Sequence, residues 1–118
     1  MKKLYSVIAL LIVASLALSA CGGAAAGFKV GQVTDLGGID DKSFNAGAYQ
    51  GIEKAIADLK VEGKYLESTQ QSDYNKNIQQ YIDEDTNLIV TVGFLLGVDT
   101  AIAAKANPET KFAIVDYA

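Results

Sequence analysis

Carboxylate, amide and aromatic residues follow the short apolar runs of this 118-residue chain. Together with one glycine, the candidate binding residues of this kind are Asp35, Phe44, Asn45, Gly93, Phe94 and Asp116. Carboxylates and amides hydrogen-bond hydroxyl groups, and aromatic rings offer flat apolar faces to a sugar ring or a nucleobase. A few placed polar groups among apolar rings are the usual composition of a small-molecule site. The residue types therefore predict binding of a small polar molecule.

The motifs of catalysis and of phosphate binding are absent. The chain has one cysteine and no histidine, so the common nucleophilic triads are missing. Gly37-Gly38 does not match the glycine pattern of dinucleotide-binding loops. The pair Asp40-Asp41 could attract calcium or magnesium, but its spacing does not match a calcium-binding loop. We expect no catalysis, no cofactor and no resident metal.

Each candidate residue also has a purely structural interpretation. Asp35 could cap a turn, and Asn45 could serve only the start of a helix. Phe44 lies on the apolar stripe of the first predicted helix, so packing in the core is the alternative to ligand contact. Asp41 and Ser43 are both candidates to cap that helix.

Short apolar runs alternate with longer amphipathic runs along the chain. Strands are predicted over 28–34, 64–69, 87–93 and 111–116, and helices over 42–60, 73–85 and 97–106. The stripe that predicts the third helix consists of Val98, Ala101, Ile102 and Ala106. This order predicts an α/β fold with a parallel sheet flanked by helices, and its third strand is expected to be buried on both faces. Ligands of such sheets bind beyond the carboxyl ends of the strands, where the candidate residues fall.

A sheet of this kind needs cover on both faces and is small for a complete domain. We therefore expect residues 28–118 to be an incomplete lobe of a longer protein. A small complete domain is the alternative.

The N-terminus has the pattern of an export signal. Lys2 and Lys3 precede an apolar stretch of about 15 residues, which is shorter than the roughly 20 needed to span a bilayer. The tetrapeptide Leu-Ser-Ala-Cys that ends at Cys21 resembles the bacterial lipobox. We predict a lipoprotein signal peptide over 1–20, acylation of Cys21 and a flexible tether to residue 27. The protein is then anchored to the extracytoplasmic face of the cell membrane; an ordinary signal peptide with an incidental cysteine is the alternative.

Charge excludes one class of partner. The chain has a formal net charge of −4 and no arginine. Nucleic-acid binding depends on clustered basic residues, so we expect no nucleic-acid partner.

The run from Val33 to Asn45, Val-Thr-Asp-Leu-Gly-Gly-Ile-Asp-Asp-Lys-Ser-Phe-Asn, resembles the basic membrane lipoprotein (BMP) family. Its members are purine-nucleoside-type substrate-binding lipoproteins of ABC transporters. Further matching runs are 48–55, 67–74, 87–94 and 112–116. The resemblance covers nearly all of residues 28–118 and implies a type I periplasmic-binding-protein fold, in which two α/β lobes close on the ligand. The chain would form part of the N-terminal lobe.

The resemblance also implies roles for the candidate residues. Phe44 would stack on the base of a purine nucleoside, and Asp35 and Asn45 would hydrogen-bond the ligand. Asp116 would contact the base edge, and the Gly93-Phe94 turn would line the cleft.

The implied protein partners are the permease and ATPase subunits of an ABC importer. Two other functions remain open. A ligand-sensing lipoprotein would pass occupancy to a membrane partner. A lipid-anchored nucleoside hydrolase would use Asp35, Asp40 and Asp41 around a metal, although the helix-capping position of Asp41 opposes it.

Overall fold

The computed structural model describes residues 27–117. The predicted signal peptide, the acylation of Cys21 and all of the predicted tether except Gly27 lie outside the described residues. Among the described residues, no helix has both the length and the apolar character needed to cross a bilayer.

In residues 27–117, parallel strands alternate with α-helices. The strands are β1 (Lys29–Val33), β2 (Glu62–Leu66), β3 (Leu88–Val92) and β4 (Lys111–Val115). The helices are α1 (Phe44–Leu59), α2 (Ser72–Asp83) and α3 (Gly97–Ala106), the last preceded by a 3-10 turn at Phe94–Leu96. The strand order across the sheet is β2-β1-β3-β4, and every pair is parallel. The predicted α/β architecture is confirmed.

Glycines in β1 and β2 allow helices to pack closely on opposite faces of the sheet. A side chain at Gly63 would meet Ile52 of α1 at 2.6 Å. On the other face, a side chain at Gly31 would meet the ring of Tyr81 in α2 at 2.6 Å. Because cross-strand partners share a face, α1 covers one side of the sheet and α2 covers the other.

The main core lies between the sheet and the two helices α2 and α3. Its buried residues are Val33, Tyr74, Ile78, Tyr81, Ile89, Leu96 and Ala103. The Tyr81 hydroxyl donates to the carbonyl oxygens of Gln32 (3.2 Å) and Lys64 (3.1 Å), and burial raises its pKa. Tyr81 thereby fixes α2 across β1 and β2.

The position of β2 differs from its prediction, since it spans 62–66 rather than 64–69. Beyond the strand, the buried Ser68 donates its backbone N–H to the Thr34 hydroxyl at 3.2 Å. Residues 68 and 69 therefore belong to the loop after β2, although their types fit a strand.

Helix α3 has the predicted bounds but presents a different face to the sheet. Val98 and Ile102, which predicted the helix, are 68% and 59% exposed. The buried positions are small residues such as Ala103 and Thr100, whose hydroxyl lies 2.8 Å from that of Thr91 in β3. Small side chains let the helix approach the sheet, and the paired hydroxyls satisfy each other.

Strand β3 is central in the sheet, but the prediction that both its faces are buried holds only in part. Ile89 and Val92 are fully buried, whereas Leu88 and Val90 are half-buried. The uneven burial follows from the helices, because α1 contacts β2 more extensively than β3.

All strands run in one direction, so the sheet has two distinct edges. The carboxyl edge carries the loops at 34–43, 67–71, 93–96 and 116–117. The amino edge carries Phe28 and the loops at 60–61, 84–87 and 107–110. Each candidate binding residue follows the carboxyl end of a strand.

Candidate functional site

Asp35 and Asn45 are in direct contact at the carboxyl edge. Asp35 Oδ1 accepts hydrogen bonds from the backbone N–H of Gly37 (2.9 Å) and from the Asn45 side-chain amide Nδ2 (2.8 Å). Asn45 is only 1% exposed although it lies in the first turn of α1. The contact joins the loop after β1 to the beginning of α1.

Asp41 holds the beginning of α1 in this position. Its carboxylate accepts hydrogen bonds from the backbone N–H groups of Ser43 (2.9 Å), Asn45 (2.9 Å) and Ala46 (3.0 Å). These bonds, that from Ala46 foremost, lower the pKa of Asp41. Of the two predicted caps, Asp41 makes the hydrogen bonds, whereas the Ser43 side chain makes none.

Gly93 borders the same carboxylate from β3. Its φ of 105° is unfavourable for other residues, and an added side chain would begin 2.6 Å from Asp35 Oδ2. Its backbone N–H donates to the Val115 carbonyl at 3.0 Å, so β3 and β4 remain paired up to this edge. Asp116 follows immediately and is itself exposed, with a φ of 62°.

The two predicted aromatic contacts have exposed rings. Phe44 is 55% exposed and Phe94 is 65% exposed. The interpretation of Phe44 as a core residue is therefore wrong. Each ring adjoins a residue that contacts Asp35, because Phe44 precedes Asn45 and Phe94 follows Gly93.

The structure thus brings Asn45 into hydrogen-bond contact with Asp35 and places Gly93 against the same Asp35 side chain. Phe44, Phe94 and Asp116 share their edge of the sheet and lie next to this group along the chain or across the β3–β4 pair.

The candidate binding residues chosen from the sequence did not include Gln32 and Tyr74, two buried polar residues. Gln32 is fully buried in β1, where its Nε2 donates to the Asn45 carbonyl oxygen at 2.9 Å. Tyr74 is 1% exposed. Burial raises the pKa of its hydroxyl most, and the charge of Asp35 raises it further. A polar amide within an apolar strand was the available signal for Gln32. Tyr74 gave no such signal, because its ring fits the apolar stripe of α2.

Across residues 27–117, no group of three histidine, cysteine, aspartate or glutamate side chains is arranged to hold a metal ion. Asp35 and Asp41 instead share the Asn45 amide as a hydrogen-bond donor. The geometry does not support a metal site formed by these two residues with Asp40.

Solved structures define the class of fold. A solute-binding protein of an ABC transporter system from Aeropyrum pernix K1 superposes with a TM-score of 0.69 at 29% identity, covering 77% of this chain and 25% of that chain. A candidate lipoprotein fragment from Peptoclostridium difficile 630 superposes with a TM-score of 0.70 at 25% identity, covering 77% and 75%. The described residues thus form a lobe of the periplasmic-binding-protein type.

Sequence comparison identifies the family. The chain is 37% identical over 94 residues to the CD4+ T-cell-stimulating antigen of Listeria monocytogenes, covering 75% of this chain and 26% of that protein. It is 34% identical over 92 residues to the ABC transporter nucleoside-binding protein BmpA of Lactococcus lactis subsp. cremoris, with the same coverage. The chain spans about a quarter of the length of these relatives.

The Bmp family, described as ABC transporter substrate-binding protein PnrA-like, matches residues 28–118. The chain belongs to this family, and the predicted resemblance is confirmed.

Proposed function

We propose that this chain is part of a membrane-anchored, two-lobed binding protein that captures a nucleoside, preferably a purine nucleoside, for an ABC importer. The observation that carries the proposal is the Asp35–Asn45 pair at the carboxyl edge. Asn45 is buried, its Nδ2 is used by Asp35, and its Oδ1 has no hydrogen-bond partner. A relative of similar sequence is named a nucleoside-binding protein.

The site offers hydrogen-bond acceptors to a ligand. Asn45 Oδ1 is unpartnered, and the Asp35 carboxylate can accept more bonds than the two it makes through Oδ1. Ribose hydroxyls are donors that fit such acceptors, so we assign Asp35 and Asn45 to the sugar. Asp116 would accept from an N–H group on the base edge.

Exposed rings supply the apolar part of the site. We assign Phe44 to stacking on the base and the Gly93-Phe94 turn to the wall of the cleft. Stacking of a base on an aromatic side chain contributes about 1–3 kcal/mol. The second lobe, from the part of the protein that corresponds to the longer relatives, would close over the opposite face of the ligand. Ligand then favours the closed form that docks on the permease.

Export and anchoring are a separate part of the proposal. We assign residues 1–20 to a lipoprotein signal peptide and Cys21 to the acylated residue. Cys21→Ser should move the protein from the membrane fraction to the soluble fraction. Persistent membrane association of this variant would contradict acylation.

Calorimetric titration of the full-length protein with nucleosides, nucleobases and free sugars tests the binding function. Asp35→Asn should weaken binding by about 1.5–3 kcal/mol, because a hydrogen bond to a charged group is lost. Asp58→Asn is the matched control, since Asp58 pairs with Lys54 on the exposed side of α1. The absence of nucleoside binding, or an equal effect of both variants, would refute the assignment.

The same samples separate capture from catalysis. Nucleoside recovered after incubation should be chemically unchanged by chromatography. Release of free base would instead favour the hydrolase.

A further inference from the structure

Gln32 is a polar residue at a fully buried position in the middle of the sheet. It lies in β1, between β2 and β3, and its side chain is 0% exposed. Because side chains alternate along a strand, Gln32 shares a face of the sheet with the buried, apolar Val30. This is the face that α1 covers, since Gly63, the cross-strand partner of Val30, lies against Ile52 of that helix. An amide buried in this way costs stability unless its atoms are paired.

The Gln32 amide reaches the beginning of α1. Its Nε2 donates to the Asn45 carbonyl oxygen at 2.9 Å, and the orientation of the amide is fixed because a carbonyl can only accept. Its other polar atom, Oε1, has no hydrogen-bond partner. Buried polar atoms in native proteins are nearly always paired, so a side chain that leaves one unpaired is not selected for stability alone.

A buried polar residue of β3 provides the contrast. Thr91 is also fully buried, and its hydroxyl lies 2.8 Å from the hydroxyl of Thr100 in α3. The two hydroxyls satisfy each other and hold α3 to the sheet. The polar atoms of this pair are used within the fold, whereas the Gln32 amide is used only in part.

Asn45 is held from two directions. From the loop after β1, Asp41 accepts its backbone N–H at 2.9 Å, and Asp35 accepts its side-chain amide at 2.8 Å. From the sheet, Gln32 donates to its carbonyl oxygen. Bonds to the loop alone would let the loop and the first turn of α1 move together, whereas the bond from Gln32 fixes Asn45 relative to the strands. The unpartnered Asn45 Oδ1 is thereby held in place at the carboxyl edge.

We infer that Gln32 is a positioning residue of the ligand site, which holds Asn45 where its Oδ1 accepts a hydrogen bond from the ligand. This inference rests on the proposed function. Gln32 acts through Asn45 and does not itself contact the ligand, since none of its side chain is exposed.

Gln32→Met in the full-length protein tests the inference, with Thr91→Val as the matched control. Gln32→Met removes the amide and keeps the length of the side chain, so the dissociation constant of the tightest-binding nucleoside should rise about three- to tenfold. The melting temperature should stay equal or rise, because the unpaired buried oxygen is also removed. Thr91→Val leaves the Thr100 hydroxyl unpaired, so it should lower the melting temperature and leave the dissociation constant unchanged. Gln32→Leu repeats the test with a different apolar shape.

A double-mutant cycle shows whether Gln32 acts through the Asn45 side chain. In an Asn45→Ala background, which keeps the backbone carbonyl, Gln32→Met should have little further effect on affinity. In an Asp116→Asn background the two losses should add, since Asp116 follows β4 on a different loop. An unchanged affinity of Gln32→Met, or additive losses with Asn45→Ala, would overturn the inference.

The two hypotheses fail differently. Wild-type protein that binds no nucleoside refutes the proposed function. Hydrogen exchange of the free protein still decides whether Gln32 fixes the beginning of α1. In Gln32→Met the backbone amides of residues 45–49 should exchange faster, while those of β3 keep their wild-type rates. Wild-type exchange rates at 45–49 in this variant would overturn the inference and leave the proposed function standing.

Discussion

The amino edge of the sheet and its carboxyl edge use charge in different ways. At the amino edge, Lys29 Nζ donates to the Glu84 carbonyl oxygen at 2.8 Å, and Lys64 Nζ lies 2.6 Å from Glu84 Oε2. A groove of about 440 Å³ lies between β1, β2 and the end of α2, and these same residues line it. Three of its charged residues, Lys29, Lys64 and Glu84, therefore bond one another.

At the carboxyl edge, acidic side chains are in excess. They are Asp35, Asp40, Asp41, Glu67, Asp73, Asp99 and Asp116, and the lysines near them are Lys42 and Lys76. Several of these carboxylates accept backbone N–H groups, for example Glu67 from Ile39 at 2.8 Å. The edge nevertheless retains the unpartnered atoms of Asn45 and Tyr74.

The difference teaches that volume alone does not locate a binding site in this fold. The amino-edge groove is roomy, but Lys29, Lys64 and Glu84, which line it, bond one another within the protein. Polar atoms without hydrogen-bond partners lie at the opposite edge, where a polar ligand could form hydrogen bonds with them.

The largest effect is expected from Gly93→Ala at the carboxyl edge. The positive φ alone should cost about 1–3 kcal/mol of stability, and the added carbon would displace Asp35 and abolish nucleoside binding. Thermal unfolding and titration measure the two effects. Gly51→Ala is the control: nothing lies within 4 Å of its added carbon, so it should stabilise α1 by about 0.5–1 kcal/mol. Unchanged nucleoside binding by Gly93→Ala would contradict the assignment of the ligand site to the carboxyl edge.

A second pair of variants compares exposed phenylalanines at the two edges. Phe44→Ala should cost about 1–3 kcal/mol of binding free energy, because the ring no longer stacks on the base. Phe28 at the amino edge is similarly exposed, and Phe28→Ala should leave the dissociation constant unchanged. Equal losses in the two titrations would remove Phe44 from the site.

The stability of the protein in acid should reveal a third, smaller difference between the two edges. The pKa of Asp41 is lowered by backbone N–H groups, and that of Glu84 is lowered chiefly by Lys64. In each case the stabilisation is present above the unfolded-state pKa, near 4, and is lost as pH falls through the lowered folded-state value.

High salt should weaken the Glu84 contribution much more than the Asp41 contribution, because only the former is an ion pair. Urea unfolding of Asp41→Asn and Glu84→Gln between pH 2 and 6, at low and high salt, measures this. The opposite response to salt would contradict the causes assigned to the lowered pKa values of Asp41 and Glu84.

The smallest effect is expected from Lys64→Ala at the amino edge. The Lys64–Glu84 pair is partly exposed, so its loss should cost less than about 1 kcal/mol of stability and leave binding unchanged. A clear drop in affinity would show that the amino edge also takes part in ligand capture.

The element order and the grouping of Asp35, Asn45 and Gly93 at the carboxyl edge could be predicted from the sequence, because alternating apolar runs define a parallel sheet and the loops after its strands must meet. The face that α3 turns toward the sheet could not be predicted. Val98 and Ile102 recur at helical spacing whether they face the sheet or the solvent. The positions of Gln32 and Tyr74 depend on contacts between distant segments, which a local pattern does not contain.

The placement of Phe28 has a practical consequence for surface-coupled biosensors. The described chain enters the sheet at the amino edge, and β1 spans five residues, about 16 Å, before the loop that carries Asp35. Immobilisation on a chip through an N-terminal linker would leave the carboxyl edge, with the proposed ligand site, facing the flowing analyte. A reporter dye on the exposed Ser43 would then lie beside the proposed site and away from the point of attachment.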